Sequence, residues 1–398
     1  MTKNKWEYLQ NLALLLVVIT LPMPKFNLNS QAIILLVAVW LFSGNYSNKL
    51  VNLKQKKYQF FSISIWFFMF VIGLIYSDNL NIGLKNIIKN LPLLGIPLVI
   101  FSQEFSVKKR EYIVKWFSVS VICCAIFALI KAGYFTYMNF GNYFYNQNLA
   151  ALLNIHTTYY SLFCAVVILY FLYQILFKKN KLNNWLAIFF LLIFMYLLSS
   201  RMGLFALGLG NLPILYRKYG SKSLLAIPII ATVVLGVLFS PNFQKREIGR
   251  SEFGTYTPDL GTRLLHWKAV VKSVNDDNII IGNGSGTDKK HVYESYKKYN
   301  FMEGYEHEYN AHNQFLEYYI YFGLMSVLVW IFCFWVWIKK IYSEYYSYLL
   351  SVLIIIICFM LTESILERQH GIVVFALMLS LAFSKETKKK SINNSKWN

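Results

Sequence analysis

Apolar runs long enough to cross a membrane recur along the chain from Leu9 to about residue 384, which leaves little material for a soluble core. A helix needs about 20 residues to cross the roughly 30 Å hydrocarbon layer. Backbone groups cannot stay unpaired in lipid, so each run reads as a helix. Candidate spans fall at 9–24, 30–44, 58–76, 85–102, 112–133, 157–177, 184–200, 202–216, 223–240, 312–338, 346–363 and 369–384. The expectation is an all-α integral membrane protein of about twelve spans. Composition agrees, with 57% apolar and 15% charged residues, far from an ordinary soluble domain. The first run follows Lys3 and Lys5 as a signal peptide would, but LPMPKFN offers no small-x-small cleavage site, so it reads as span one.

The net charge of +20 would suit a nucleic-acid partner, but its distribution argues against one. Lys49, Lys54, Lys56 and Lys57 form one basic connection, and Lys108, Lys109 and Arg110 another. Lys178, Lys179 and Lys181 follow, then Arg217, Lys218 and Lys222, then Lys339 and Lys340. The tail adds Lys385, Lys388, Lys389, Lys390 and Lys396. Intervening connections carry isolated cations such as Lys25, Lys85 and Arg368. Basic loops stay cytoplasmic, so both termini are expected inside, and the excess is a topology signal. The five cysteines, Cys123, Cys124, Cys164, Cys333 and Cys358, all lie in apolar runs. That fits small buried residues and offers neither a disulfide framework nor a zinc site in the polar segment.

Residues 241–311 are then an outer loop. The organisation reads as spans one to nine over 1–240, the loop, three spans over 312–384 and a basic tail over 385–398. The stretch from Pro241 to Gly323 carries four of the six histidines: His266, His291, His307 and His312. Within it, RLLHWKAVVKSV places Leu264, Trp267, Val270 and Val271 on one helical stripe. HVYESYKKY reads as a short helix, GNGSG as a turn, and Asp276-Asp277 as a turn or a divalent-cation site. A second outer segment, 133–156, carries no Lys, Arg, Asp or Glu and is crowded with Tyr, Phe and Asn. An interfacial aromatic belt and a sugar-facing surface both fit it.

Three outer residues are candidates for chemistry. Arg201 separates two apolar runs; it either snorkels to the headgroups or forks onto phosphate oxygens. Arg263 stands near the start of the amphipathic stripe, where a solvated loop arginine is the plainer reading. His312 sits where a span begins, placed either to act as a general base near neutral pH or to serve a cap or buried hydrogen bond. Outside the membrane no nucleotide sugar supplies energy, so a transferase there needs a donor already activated. A polyprenyl-diphosphate-linked glycan is such a donor; its leaving group would need cations.

The ordered set HTTYYSLF (156–163), SSRMGLFAL (199–207), GTRLLHWKAVV (261–271), IGNGSG (281–286), AHNQFLEYYIYFGLMS (311–326) and ESILERQHGIVVFA (363–376) resembles the O-antigen ligase and polymerase superfamily of bacterial membrane glycosyltransferases. The likeness spans roughly 150–384; earlier spans match only in being hydrophobic. It implies a GT-C-like helical fold in the bacterial inner membrane and inverting transfer without metal or other cofactor. The donor would be a glycan on undecaprenyl diphosphate, and the acceptor lipid A–core or a second lipid-linked glycan. It places the essential residues at Arg201, Arg263 and His312, with His156, Asn313, Glu363 and Arg368 as substrate-binding candidates, and Gly323 allowing close helix packing. Ligase is the first reading and repeat-unit polymerase the second. Transfer to protein hydroxyls and flipping of a lipid-linked glycan come after these two.

Overall fold

The computed structural model describes residues 3–24, 26–178, 182–225, 228, 260–274, 278–344 and 347–384. Most of the ninth expected span, the first part of the outer loop, Asp276-Asp277 and the basic tail lie outside the described residues. What is described is 81% helical and contains no strand.

In chain order the α-helices are α1 (Lys3–Thr20), α2 (Phe26–Phe42), α3 (Tyr46–Gln55), α4 (Lys57–Gly73), α5 (Leu80–Asn90), α6 (Pro92–Phe101), α7 (Val107–Tyr137), α8 (Asn146–Ala151) and α9 (Thr157–Lys178). There follow α10 (Leu182–Leu197), α11 (Arg201–Tyr219), α12 (Leu260–Ser273), α13 (Lys290–Lys298), α14 (Met302–Glu306), α15 (Gln314–Glu344), α16 (Ser347–Thr362) and α17 (Gln369–Phe383). Local chemistry sets several starts. Ser106 caps α7 by accepting from the Lys109 amide at 3.2 Å, and Asn79 caps α5 through Ile82 at 3.1 Å. Pro92 opens α6, where a missing N–H does no harm.

Helix α17 has no charged residue and is apolar all round, which belongs to a buried helix; it is buried from His370 to Phe383. It packs against α6, α16, α4 and α9, with α9 itself buried over its first four turns. Outside this centre, α10 and α11 pack on α9, α11 on α16, and the α1–α2 pair on α7.

Among the described residues, four helices are long and apolar enough to cross a membrane: Leu80–Phe101, Val107–Tyr137, Thr157–Lys178 and Gln314–Ile341. Asn27–Phe42 with Tyr46–Gln55, bent by 115°, makes a fifth if taken as one broken span. Helices α4 and α10, at 17 and 16 residues, rise about 25 Å, short of the roughly 30 Å layer. The described residues thus carry four or five full-length spans, fewer than the twelve expected from the sequence; Leu350–Thr362 and Gln369–Phe383 are further short apolar helices.

The basic residues Lys178 and Arg217 lie at one end of the bundle, the Arg217 guanidinium 5.1 Å from the Phe177 ring centroid. Lys178 closes α9 and pairs with Glu111 at the head of α7, 3.1 Å away. Arg217, in the last turn of α11, reaches Ser347 at the start of α16 at 3.5 Å. His156, Arg201 and His312 precede or begin α9, α11 and α15, and so lie at the opposite end.

At that end, residues 278–311 fold onto the helices around a small core of Ala269, Val270, Val292, Tyr296, Phe301, Ala311 and Ile320. The expected stripe on α12 is corrected: Leu264 is 56% and Val271 42% exposed, while His266, Ala269 and Val270 are buried. The small Ala269 lets α13 approach closely enough for Ser295 Oγ to donate to its carbonyl at 2.7 Å. Gly323 proves to be a break in α15, at φ 54° and ψ −145°, not a plain packing contact. The opened backbone pairs with the loop. Asn283 and Gly284 amides donate to Ile320 and Tyr321 carbonyls at 3.0 and 2.9 Å, and Leu324 and Met325 amides to Ile279 and Ile280 at 2.9 and 3.0 Å. GNGSG is therefore a turn held against α15, with the Ser285 amide on the Gly73 carbonyl at 3.1 Å.

Candidate active site

His312 occupies a left-handed backbone conformation, φ 43°, which costs about 1–2 kcal/mol for a residue with a Cβ. Both flanks hold it there. Its own amide donates to Asn310 Oδ1 at 3.0 Å. Next to it, Asn313 caps α15, its Oδ1 accepting from Phe315 and Leu316 amides at 2.9 and 3.2 Å. The same side chain donates through Nδ2 to the Leu361 carbonyl at 3.1 Å, tying the start of α15 to the end of α16. Asn313 thus builds the frame that presents His312.

Two residues beyond Leu361, Glu363 meets His312: Oε2 lies 3.1 Å from Nδ1. A carboxylate only accepts, so the imidazole proton sits on Nδ1 and the lone pair on Nε2. Burial raises the Glu363 carboxyl, but the charge His312 carries when protonated, its hydrogen bond, and the positive charge of a protonated His156 and of Arg263 outweigh it and hold it at about 2. Its other oxygen is 3.5 Å from Thr158 Oγ1. Thr158 in turn meets His156 Nδ1 at 3.1 Å through its hydroxyl and at 3.3 Å through its amide. Accepting from that amide leaves the His156 ring proton on Nε2. The two histidines flanking Glu363 therefore differ in tautomer, one presenting a lone pair and the other a donor.

Arg263 joins from α12, its Nη1 donating to the Thr362 carbonyl at 3.3 Å. A cation suits the carbonyl end of α16, and a guanidinium has five N–H groups, so this contact uses one. Behind His312 stands His266, buried, with Nε2 3.0 Å from Tyr296 Oη and its ring 6.0 Å from the His312 ring. Burial, reinforced by His312 and Arg263, pushes His266 down to about 3. It is a neutral wall.

Arg201 is the first residue of α11 and half-buried. Ser200 caps that helix through the Gly203 amide at 3.2 Å and donates to Ser161 Oγ at 2.7 Å. Ser161, one turn into α9, donates to the Thr158 carbonyl at 2.9 Å. Ser200, the residue before Arg201, is thus linked through α9 to the His156–Thr158–Glu363 group. Arg368 is exposed at the head of α17.

The structure therefore brings together His312, Glu363, Arg263, His156 and Asn313. Glu363, a binding candidate in the sequence, is the hub on which the histidines converge. Thr158, His266, Tyr296 and Glu317 were not singled out from the sequence. The i+2 step from His156 was the only local signal for any of them.

A sequence model of the O-antigen ligase family matches residues 186–331. The matched segment contains Arg201, Arg263 and His312 and bears out the resemblance to the O-antigen ligase superfamily. That family is associated with glycosyltransferase-like ligation and polymerisation of lipid-linked glycans. With the apolar helices above, it marks a multi-pass membrane protein. No curated protein matches the chain.

Proposed function

We propose, with the O-antigen ligase segment over 186–331 as premise, that the chain transfers a glycan from undecaprenyl diphosphate to a hydroxyl of lipid A–core at the outer face of the inner membrane. The observation that carries this reading is the His312–Glu363 pair, which orients the imidazole, with Arg263 held on the carbonyl of Thr362, the residue before Glu363.

His312 Nε2 takes the proton from the acceptor hydroxyl as its oxygen attacks the anomeric carbon. Glu363 stabilises the imidazolium that forms. The bond from anomeric carbon to diphosphate oxygen breaks, and the lipid diphosphate leaves with the electron pair. Attack from the face opposite the leaving group inverts the anomeric centre. Arg263 and Arg201 balance the charge developing on the diphosphate, a role for which the guanidinium fork is suited. Arg201 heads α11, and a helix N-terminus also favours an anion. His156, held on Thr158, is a candidate substrate-binding residue. The reaction uses no group beyond these side chains.

Repeat-unit polymerisation is the second reading, favoured by a family match that takes in both activities. The glycolipid profile of a strain lacking the protein separates them. Polymer held on undecaprenyl diphosphate, with none on lipid A–core, supports ligase. Lipid A–core capped by a single repeat unit supports polymerase. An unchanged profile on both carriers contradicts both.

A further inference from the structure

The His312–Glu363 pair joins two separate chain segments, so something must set their spacing. Glu317, fully buried one turn into α15, is placed to do it. Its Oε2 accepts from the Ala311 amide at 2.8 Å and from Ser364 Oγ at 3.0 Å. Ala311 is the residue before His312, and Ser364 is the residue after Glu363. One oxygen therefore holds the neighbours of both partners.

The carboxylate is itself fixed. Its other oxygen pairs with Lys289 Nζ. Lys289 also lies 3.7 Å from Glu367 and 4.9 Å from the Tyr321 ring centroid. Glu367 pairs with Lys89 of α5 at 3.0 Å and accepts from Tyr321 Oη at 3.3 Å. Two acids and two lysines balance, as a buried charge network must. Burial would lower the Lys289 ammonium, but Glu317, Tyr321 and Glu367 reverse this and keep it charged.

We propose that Glu317 is a positioning residue for the proposed transfer, holding His312 and Glu363 in register through one carboxylate oxygen locked by Lys289. This rests on the reading of that pair given above. Glutamine at 317 keeps the shape but not the function. Its oxygen can serve Ala311 and Ser364 only by turning its amide N–H groups toward the Lys289 ammonium, donor against donor.

The test uses full-length protein with 15N-labelled histidine in lipid nanodiscs, the His312 signal being assigned by its loss in His312→Ala. In the wild type, His312 should show one neutral tautomer with the proton on Nδ1. In Glu317→Gln the Nε2–H tautomer should appear, and in Glu317→Gln with Lys289→Met the single tautomer should return. With a synthetic undecaprenyl-diphosphate oligosaccharide as donor, kcat for Glu317→Gln should fall about tenfold to a hundredfold while donor KM stays within about threefold. The double variant should recover most of that loss. If Glu317→Gln does not insert, Ser364→Ala removes one donor without unbalancing charge and should also bring in the second tautomer. A single unchanged tautomer in a folded variant overturns the proposal whatever the activity. Absence of transfer by the wild type would strike the proposed function and leave the spectral result standing.

Discussion

Glu363 Oε2 lies 3.1 Å from His312 Nδ1 across 51 residues of chain. That contact converts two polar residues at helix ends into an oriented base. Everything near it either fixes its geometry or supplies cations beside it. The predictions test these roles separately.

Glu363→Gln keeps the volume but loses the charge that holds the imidazole proton on Nδ1. The amide can turn its nitrogen toward the ring and favour the wrong tautomer. We expect kcat to fall by about a hundredfold or more, with donor KM changed by less than about threefold. Steady-state kinetics with varied donor measure both.

Arg263→Lys keeps the charge but loses the fork, so it should lose about tenfold in kcat/KM for the donor. Arg263→Ala should lose more and should also loosen the end of α16, because the Thr362 carbonyl loses its donor. Comparing kinetics with the thermal midpoint in detergent separates the two effects.

Acid should destabilise the fold in two stages. His266 is held at about 3 against an ordinary 6.5. Its contribution is present above 6.5 and is lost as pH falls toward 3, because the unfolded chain takes up the proton first. Glu363 is held at about 2 against 4.5, so its contribution is present above 4.5 and fades as pH falls toward 2. In a series of thermal midpoints against pH, His266→Gln should flatten the part between 6.5 and 4.5, lessen the slope from 4.5 to about 3 and leave the part below 3.

Gly323→Ala should be severely destabilising. Its backbone sits at φ 54°, and an added Cβ would lie 2.5 Å from the Ile279 carbonyl oxygen and 2.7 Å from the Gly282 amide nitrogen. A loss of about 3 kcal/mol or more is expected. Faster proteolysis within 278–286 would accompany the lower thermal midpoint. Gly371 presents a related case, since a Cβ there would meet the Ile365 carbonyl oxygen at 1.9 Å.

The helices were legible because lipid-length apolar runs leave the backbone no other solution. The described part of each expected span is helical, with ends displaced by a few residues. Arg201 and His312 stood out because a cation or an imidazole is conspicuous at the edge of an apolar run; Arg263, in the polar segment, was raised by the family resemblance. The grouping around Glu363 was not legible, since it depends on where α16 ends relative to the start of α15. Glu317 carries no signal of its own in QFLEYY; only the tertiary structure turns it inward onto Ala311, Ser364 and Lys289. The α12 stripe misled for a related reason. Its buried face is chosen by the Tyr296 and Phe301 rings that pack on His266, not by the hydrophobicity of α12 itself.

The proposed transfer from a polyprenyl diphosphate depends on His312 as its base. The most direct measurement is release of undecaprenyl diphosphate from a lipid-linked glycan, in the presence of acceptor, by purified wild-type and His312→Ala proteins. His312→Ala should lose at least about a hundredfold in rate while keeping its thermal midpoint and membrane insertion. Equal rates from two equally folded proteins would contradict it.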